Sequence, residues 1–149
     1  MKNILGIAQL ILRFALGIGF LIPVTDRIGL IGSYGSDGVS WGDWKHFLDY
    51  THTLVPFAGG SMTNIMALLA TIGEGVSGLC LIIGFRIKEA ALGAGILTLV
   101  FGLCMAIFLK IKAPFDYPVF VFTGGALLLS SVDKYKWSID DYMQKRRLN

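Results

Sequence analysis

Residues 90–109 run from alanine to leucine without one charged side chain. Helices of soluble proteins keep a polar face toward water, so an uncharged stretch of this length belongs in hydrocarbon. Three further apolar runs accompany it, at 4–24, 62–84 and 117–132. A helix rises about 1.5 Å per residue and needs about 20 residues to cross a hydrocarbon core of about 30 Å. The runs 4–24, 62–84 and 90–109 satisfy this, and 117–132 approaches it. Tyr117, Tyr135 and Trp137 border the short run like an interfacial belt, with Lys134 and Lys136 placed to snorkel outward. Charged residues make up only 15% of the chain and mean hydropathy is +0.68, whereas soluble domains carry about 25% charged residues. The expected fold is all-α: one membrane domain over 1–149, built as an integral four-helix bundle. Lys2 ahead of an apolar run, with Ala15 and Gly17 beyond, imitates a cleavable signal, but Arg13 interrupts it, so the first run is expected to be retained.

Two runs carry a charge near their middle, Arg13 in the first and Glu74 in the second. A charge at mid-bilayer costs about 2.5–3.5 kcal/mol on insertion scales, and two of opposite sign can cancel. Counted inward from residues 4 and 84, they lie about 14 and 15 Å deep, level with each other. Each falls on a stripe of small or polar residues: Gly6, Gln9, Arg13 and Gly17, then Ala67, Ala70, Thr71, Glu74, Ser77 and Gly78. Such stripes face other helices, and Ala94, Thr98, Gly102 and Ala106 form a matching seam. The sequence therefore predicts a buried Arg13–Glu74 pair. It reads either as a lock on helix register or as an anchor for a polar ligand or a proton. A quinone is one guest that suits it, its carbonyl oxygens accepting from the guanidinium while its tail lies among the helices.

The connection 25–61 is too long for a simple turn. After Gly29, Gly32, Gly35 and Gly38 it reads Val39-Ser40-Trp41-Gly42-Asp43-Trp44. That pattern predicts a helix with Ser40 as N-cap, Asp43 at the capping-box position and Val39 stapled onto Trp44, ending at Pro56. Trp41, Trp44, Leu48, Thr51 and Val55 share one face, and Asp43, His46, Asp49 and Tyr50 lie toward the other. A short amphipathic helix in the interfacial layer is expected, either as a resting plug or as a lid over the central charges. Asp26 and Arg27 are expected to pair with each other or with loop backbone, and Asp116 to cap the fourth helix.

Lys and Arg set the orientation. With the N terminus cytoplasmic, Lys2, Arg86, Lys88, Lys134, Lys136, Lys145, Arg146 and Arg147 lie inside, against Arg27, Lys45, Lys110 and Lys112 outside; both termini, including the tail 133–149, are expected in the cytoplasm. The Lys145-Arg146-Arg147 cluster then faces anionic headgroups of the lipid bilayer, and no nucleic-acid motif accompanies it. His46 and His52 lack ligand spacing, so no metal site is expected. Cys80 and Cys104 lie about 16 Å apart in depth, too far for a disulfide. Phosphate loops, catalytic triads and dinucleotide fingerprints are absent from the sequence.

The run Leu12-Arg13-Phe14-Ala15-Leu16-Gly17-Ile18-Gly19-Phe20-Leu21, then Thr25-Asp26-Arg27-Ile28-Gly29, and Trp41-Gly42-Asp43-Trp44 with Phe47 and Tyr50-Thr51, resemble the bacterial DoxX family. The resemblance covers nearly the whole chain, the acidic residue of the second helix included. It implies a small four-helix protein of the bacterial inner membrane, in a family named for a subunit of a membrane thiosulfate:quinone oxidoreductase. Arg13, Asp26, Arg27 and Glu74 match its charged positions, with Gln9, Trp41, Asp43 and Trp44 as supporting residues. Closely spaced cysteines are missing, which turns the expectation from thiol chemistry toward a quinone contact or an anchoring subunit. The functions that stay open are a redox-linked subunit served by a partner redox enzyme, a non-catalytic anchor or assembly component, and a conduit for protons or small solutes, which would require a homo-oligomer.

Overall fold

The computed structural model describes residues 2–148, with side chains from 4 to 146; the side chains of Lys2 and Arg147, used in the orientation argument, and residue 149 of the expected tail lie outside the described residues. Helix α1 spans Lys2–Arg27, α2 Trp44–Leu54, α3 Gly60–Ile83 and α4 Ile87–Cys104. A π-helical turn, Met105–Leu109, extends α4 and closes with the Lys110 N–H donating to Met105 O at 3.2 Å. Short α5 (Ala113–Asp116), α6 (Val119–Ser130) and α7 (Ile139–Leu148) complete the chain, and no strand occurs among the described residues.

Three helical stretches are long and apolar enough to cross a membrane: Ile4–Arg27, Gly60–Ile83 and Ile87–Leu109. Their outward faces are aliphatic, as at Ile11, Ile18, Leu69, Ile72, Val76, Ile96 and Val100, whereas Gln9, Arg13, Arg27, Ser77, Thr98 and Thr123 are buried. This inverts the usual distribution of a water-soluble protein and is what a lipid solvent selects. Helix α6 differs from the expected fourth run. Its twelve residues rise about 18 Å, short of a hydrocarbon core, because Pro118 stops it at one end and the turn at Ser131 at the other.

Helix α1 packs on α3, α3 on α4, and α4 most extensively on α6, which also touches α1. Glycines set the closest approaches. A Cβ on Gly17 would lie 3.1 Å from Gly78 O, and one on Gly78 would lie 3.0 Å from Gly17 O. On the other side Gly95 receives Leu127, Gly102 receives Phe120, and the Thr123 hydroxyl donates to Thr98 Oγ1 at 2.9 Å. The expected seam on α4 is buried at Ala94, Thr98 and Gly102, but the π-helical turn then brings Met105 inward in place of Ala106.

Several local expectations are corrected. The N-cap of α2 is Asp43, whose carboxylate accepts from the His46 amide at 2.9 Å, not Ser40; that bond holds the Asp43 carboxyl below its ordinary pKa. The inward face of α2 is Phe47, Thr51 and Leu54, one position round from the expected stripe. Asp116 sits in α5 paired with Lys112, and α6 has no side-chain cap. Tyr135 is buried with its hydroxyl donating to Leu129 O at 3.0 Å, not spread in an interfacial belt.

The chain after α6 folds back over the end of the helices where α1 begins, the near end. Asp140 caps α4 there, accepting from the Arg86 and Ile87 amides at 2.9 and 2.8 Å. Burial pushes the Tyr50 and Tyr135 phenols up to about 12, with Tyr117 adding to the first and Asp140 to the second. Since the unfolded phenols ionise near 10, the folded state holds more protons between these values, and stability falls as pH rises through that window. An absorbance titration at 295 nm is expected to find the Tyr50 and Tyr135 phenols still protonated at about pH 11 and to ionise them on unfolding.

Candidate functional site

Register decides which charges meet. With Gly17 facing Gly78, Arg13 lies four residues toward the near end and Glu74 four residues toward the far end. The two are thus about 12 Å apart along the helix axes, and the expected Arg13–Glu74 pair does not form. Residues 4 and 84 are not level as expected: the start of α1 overhangs α3 by about two turns and packs under the returning C-terminal segment, Gly6 against Lys136 and Trp137.

Glu74 instead pairs with Arg27, the last residue of α1, whose Nη1 lies 2.7 Å from Glu74 Oε2. The same nitrogen donates to Thr71 Oγ1 at 3.1 Å. Its contact with Glu74 is an ion pair. Arg27 is only 2% exposed and Glu74 12%. The guanidinium lies against two rings that meet edge to face, 4.0 Å from the Phe47 centroid and 5.1 Å from that of Trp41. Cation–π contacts of this kind strengthen when desolvated.

Adjacent Asp26 holds the cover of this site. Its carboxylate accepts from the backbone of Ser40, Trp41 and Gly42 at 2.9, 3.3 and 2.9 Å. Loop backbone is thus Asp26's partner, as one of the two expectations had it, and Arg27 takes neither of the partners expected for it. Gly42 has φ +68, and a Cβ there would collide with the backbone of Tyr34, so the loop requires glycine at that point.

The supporting residues divide. Trp41 belongs to the site. Asp43 is an exposed cap, and Trp44 is half-buried with its indole donating to Asn64 Oδ1 at 3.3 Å. Gln9 and Arg13 form a separate cluster at the near end, donating to the carbonyls of Lys136 and Trp137 at 3.1 and 3.2 Å. Arg13 is 2% exposed, next to Gly84 at the C terminus of α3, where the helix dipole favours a cation. Its Nε and Nη1 have no hydrogen-bond partner among the described residues.

A cavity of about 190 Å³ lies against the ion pair, walled by Gly19, Phe20, Pro23, Trp41, Phe101 and Phe122, with Thr98 and Glu74 as polar lining. Arg27 also lines the space and is its hydrogen-bond donor, with the Glu74 carboxylate as acceptor. A vestibule of about 590 Å³ adjoins it toward the far end, bordered by Asp26, Gly38, Ser40 and Tyr50. Sequence reasoning missed Thr98 as a lining residue, Phe47 as the ring over the guanidinium, and Arg27 as the partner of Glu74. No group of metal-binding side chains occurs among the described residues. Comparison with protein-family profiles, curated proteins and solved structures finds no match to this chain.

Proposed function

We propose that this chain is a DoxX-like protein of the bacterial inner membrane, a four-helix bundle with both termini cytoplasmic, that binds a quinone-like ring beside the Arg27–Glu74 pair. It serves a partner redox enzyme and is not a complete enzyme by itself. The supporting observation is the aromatic cavity against a buried ion pair, among helices apolar enough to span a bilayer. A cavity of about 150 Å³ suffices for benzene, so one six-membered ring fits. Phe20, Phe101, Phe122 and Trp41 supply flat apolar walls, and Arg27 is the donor suited to a carbonyl oxygen. A quinone bound there would supply reversible two-electron, two-proton chemistry. Arg27 orients its oxygen and favours negative charge on it, the rings flank it, and Glu74, the carboxylate of the cavity wall, is the group placed to take up a proton.

The reading is tested by lipid extraction and mass spectrometry of the purified protein. Glu74→Gln is expected to lower copurifying quinone about tenfold or more, the loss of one charged contact, while the protein remains folded. An equally loaded variant would sink the quinone reading and leave an anchoring role, in which the helices only hold a partner at the membrane.

A further inference from the structure

Glycines on the long helices serve two different ends. At Gly17, Gly78, Gly95 and Gly102 a neighbouring helix presses in, with its nearest atom 2.7, 2.9, 2.8 and 2.8 Å from a notional Cβ. Gly73 on α3 and Gly93 on α4 have no such neighbour: a Cβ on Gly73 would meet only Leu97 Cδ2 at 3.4 Å, and one on Gly93 nothing within 4 Å. Between them runs a groove of about 320 Å³ along the outside of the α3–α4 pair, completed by Ser77, Ile96, Leu97 and Val100. Ser77 is only 8% exposed and lines this groove, yet its hydroxyl makes no hydrogen bond with the described residues. The buried hydroxyls of Thr51, Thr98 and Thr123, by contrast, each donate to a carbonyl one turn back. Counted from the short turn that joins α3 to α4, Ser77 lies about 10 Å and Gly93 about 9 Å inside, on stretches apolar enough to span a bilayer. Lipid tails give a hydroxyl at that depth no partner, whereas a second helix brought close over glycine offers its main chain.

We infer that this groove is the contact between two copies of the chain, paired about a two-fold axis along the membrane normal, with each Ser77 hydroxyl donating to the main chain of the other copy. The choice of occupant follows from the fit of the face to itself. Two copies inserted in the same orientation meet level for level, so a two-fold contact needs holes and knobs at matching depths on one face. The holes Gly93, Ser77 and Gly73 lie about 9, 10 and 16 Å from the turn, and the exposed knobs Val76 and Ile96 about 12 and 13 Å. Charge agrees with shape. Arg86 and Glu89 stand on the same row of α4 as Gly93, both exposed and 3.5 Å apart. An end that carries both signs is complementary to its own copy, because Arg86 of one can face Glu89 of the other. The pairing goes beyond the ligand reading and does not depend on it. Thr98, which lines the cavity beside Arg27 and Glu74, is two residues from both Ile96 and Val100 and so points about 200° away from the groove around α4.

Förster transfer between labelled copies tests the pairing. The full chain, with Cys80→Ala and Cys104→Ala, carries donor or acceptor dye on the exposed position Ser36→Cys and is reconstituted in phosphatidylethanolamine–phosphatidylglycerol vesicles at a series of protein-to-lipid ratios. Transfer above that of randomly placed monomers, saturating as the ratio rises, is expected. Ser77→Ala should weaken pairing about tenfold, the loss of two symmetry-related hydrogen bonds at about threefold each. Gly93→Leu should weaken it about tenfold or more by filling the hole, while Gly124→Leu, at an open glycine of α6, should leave it unchanged. Both weakening variants keep the subunit folded, since one removes a single atom and the other adds bulk where the subunit has none of its own atoms within 4 Å. In dilute detergent, where copies separate by mass action, Gly93→Leu is silent. A parent that stays monomeric at every ratio, as it would if lipid or a helix of another protein fills the groove, would overturn the pairing. So would pairing that survives both Ser77→Ala and Gly93→Leu, or that is lost in Gly124→Leu alone. Loss in Gly93→Leu with Ser77→Ala pairing like the parent would support the interface and overturn the role of the hydroxyl.

Discussion

Arg27→Ala is expected to destabilise the folded protein by about 3–5 kcal/mol, because it strands a carboxylate inside the helix pack. Glu74 is 12% exposed and its described cationic neighbour is Arg27. The same substitution removes the group that Phe47 and Trp41 cover, so the rings lose their cation together with the acid. A double-mutant cycle between positions 27 and 74, read by unfolding in mixed micelles, should return a coupling of about 1–3 kcal/mol. The corresponding cycle between 13 and 74 should lie within about 0.5 kcal/mol, as expected for sites that share no partner. The reverse ranking would mean that α1 and α3 pack in another register.

Gly78→Leu carries the second large effect. The position faces Gly17 O and Leu21 Cγ at 3.0 and 2.9 Å from a notional Cβ, and backbone cannot rotate away as a side chain can. Overpacking of this kind costs about 1–3 kcal/mol or more. Because this contact also fixes how far Arg27 lies from Glu74, the variant should lose the Arg27–Glu74 coupling as well as stability. Gly93→Leu is the control: nothing lies within 4 Å of a Cβ there, and its unfolding should match the parent. Equal stability of Gly78→Leu and Gly93→Leu would show that the two helices do not touch at Gly78.

The helices and their inward stripes were legible because lipid-facing and protein-facing positions differ in side-chain size and polarity. Gly6, Gln9, Arg13 and Gly17 are all buried, as spacing alone predicts, and so are Ala67, Ser77 and Gly78. The partner of Glu74 was not legible. Depth counted from the ends of apolar runs assumes that antiparallel helices start level, and α1 overhangs its neighbour. Arg27 looked like a residue of the connection because it follows the apolar run, yet it is the last turn of α1 and its long arm reaches back along α3. The start of α2 was misjudged by one turn because Ser40 and Asp43 both make good caps, and Asp26, distant in sequence, claims the Ser40 amide. The role of Phe47 depends on how α2 lies across the helices, which no local pattern encodes.

One asymmetry of the ion pair has a mechanical meaning. The acid stands on the third turn from the end of a long rigid rod, whereas the base is tethered at the last residue of another, where the chain leaves for a glycine-rich excursion. Tension on that excursion from outside would draw on the base and leave the acid where it is. Movement of residues 28–43 thus loosens or tightens the grip of two buried charges from the side of the base alone.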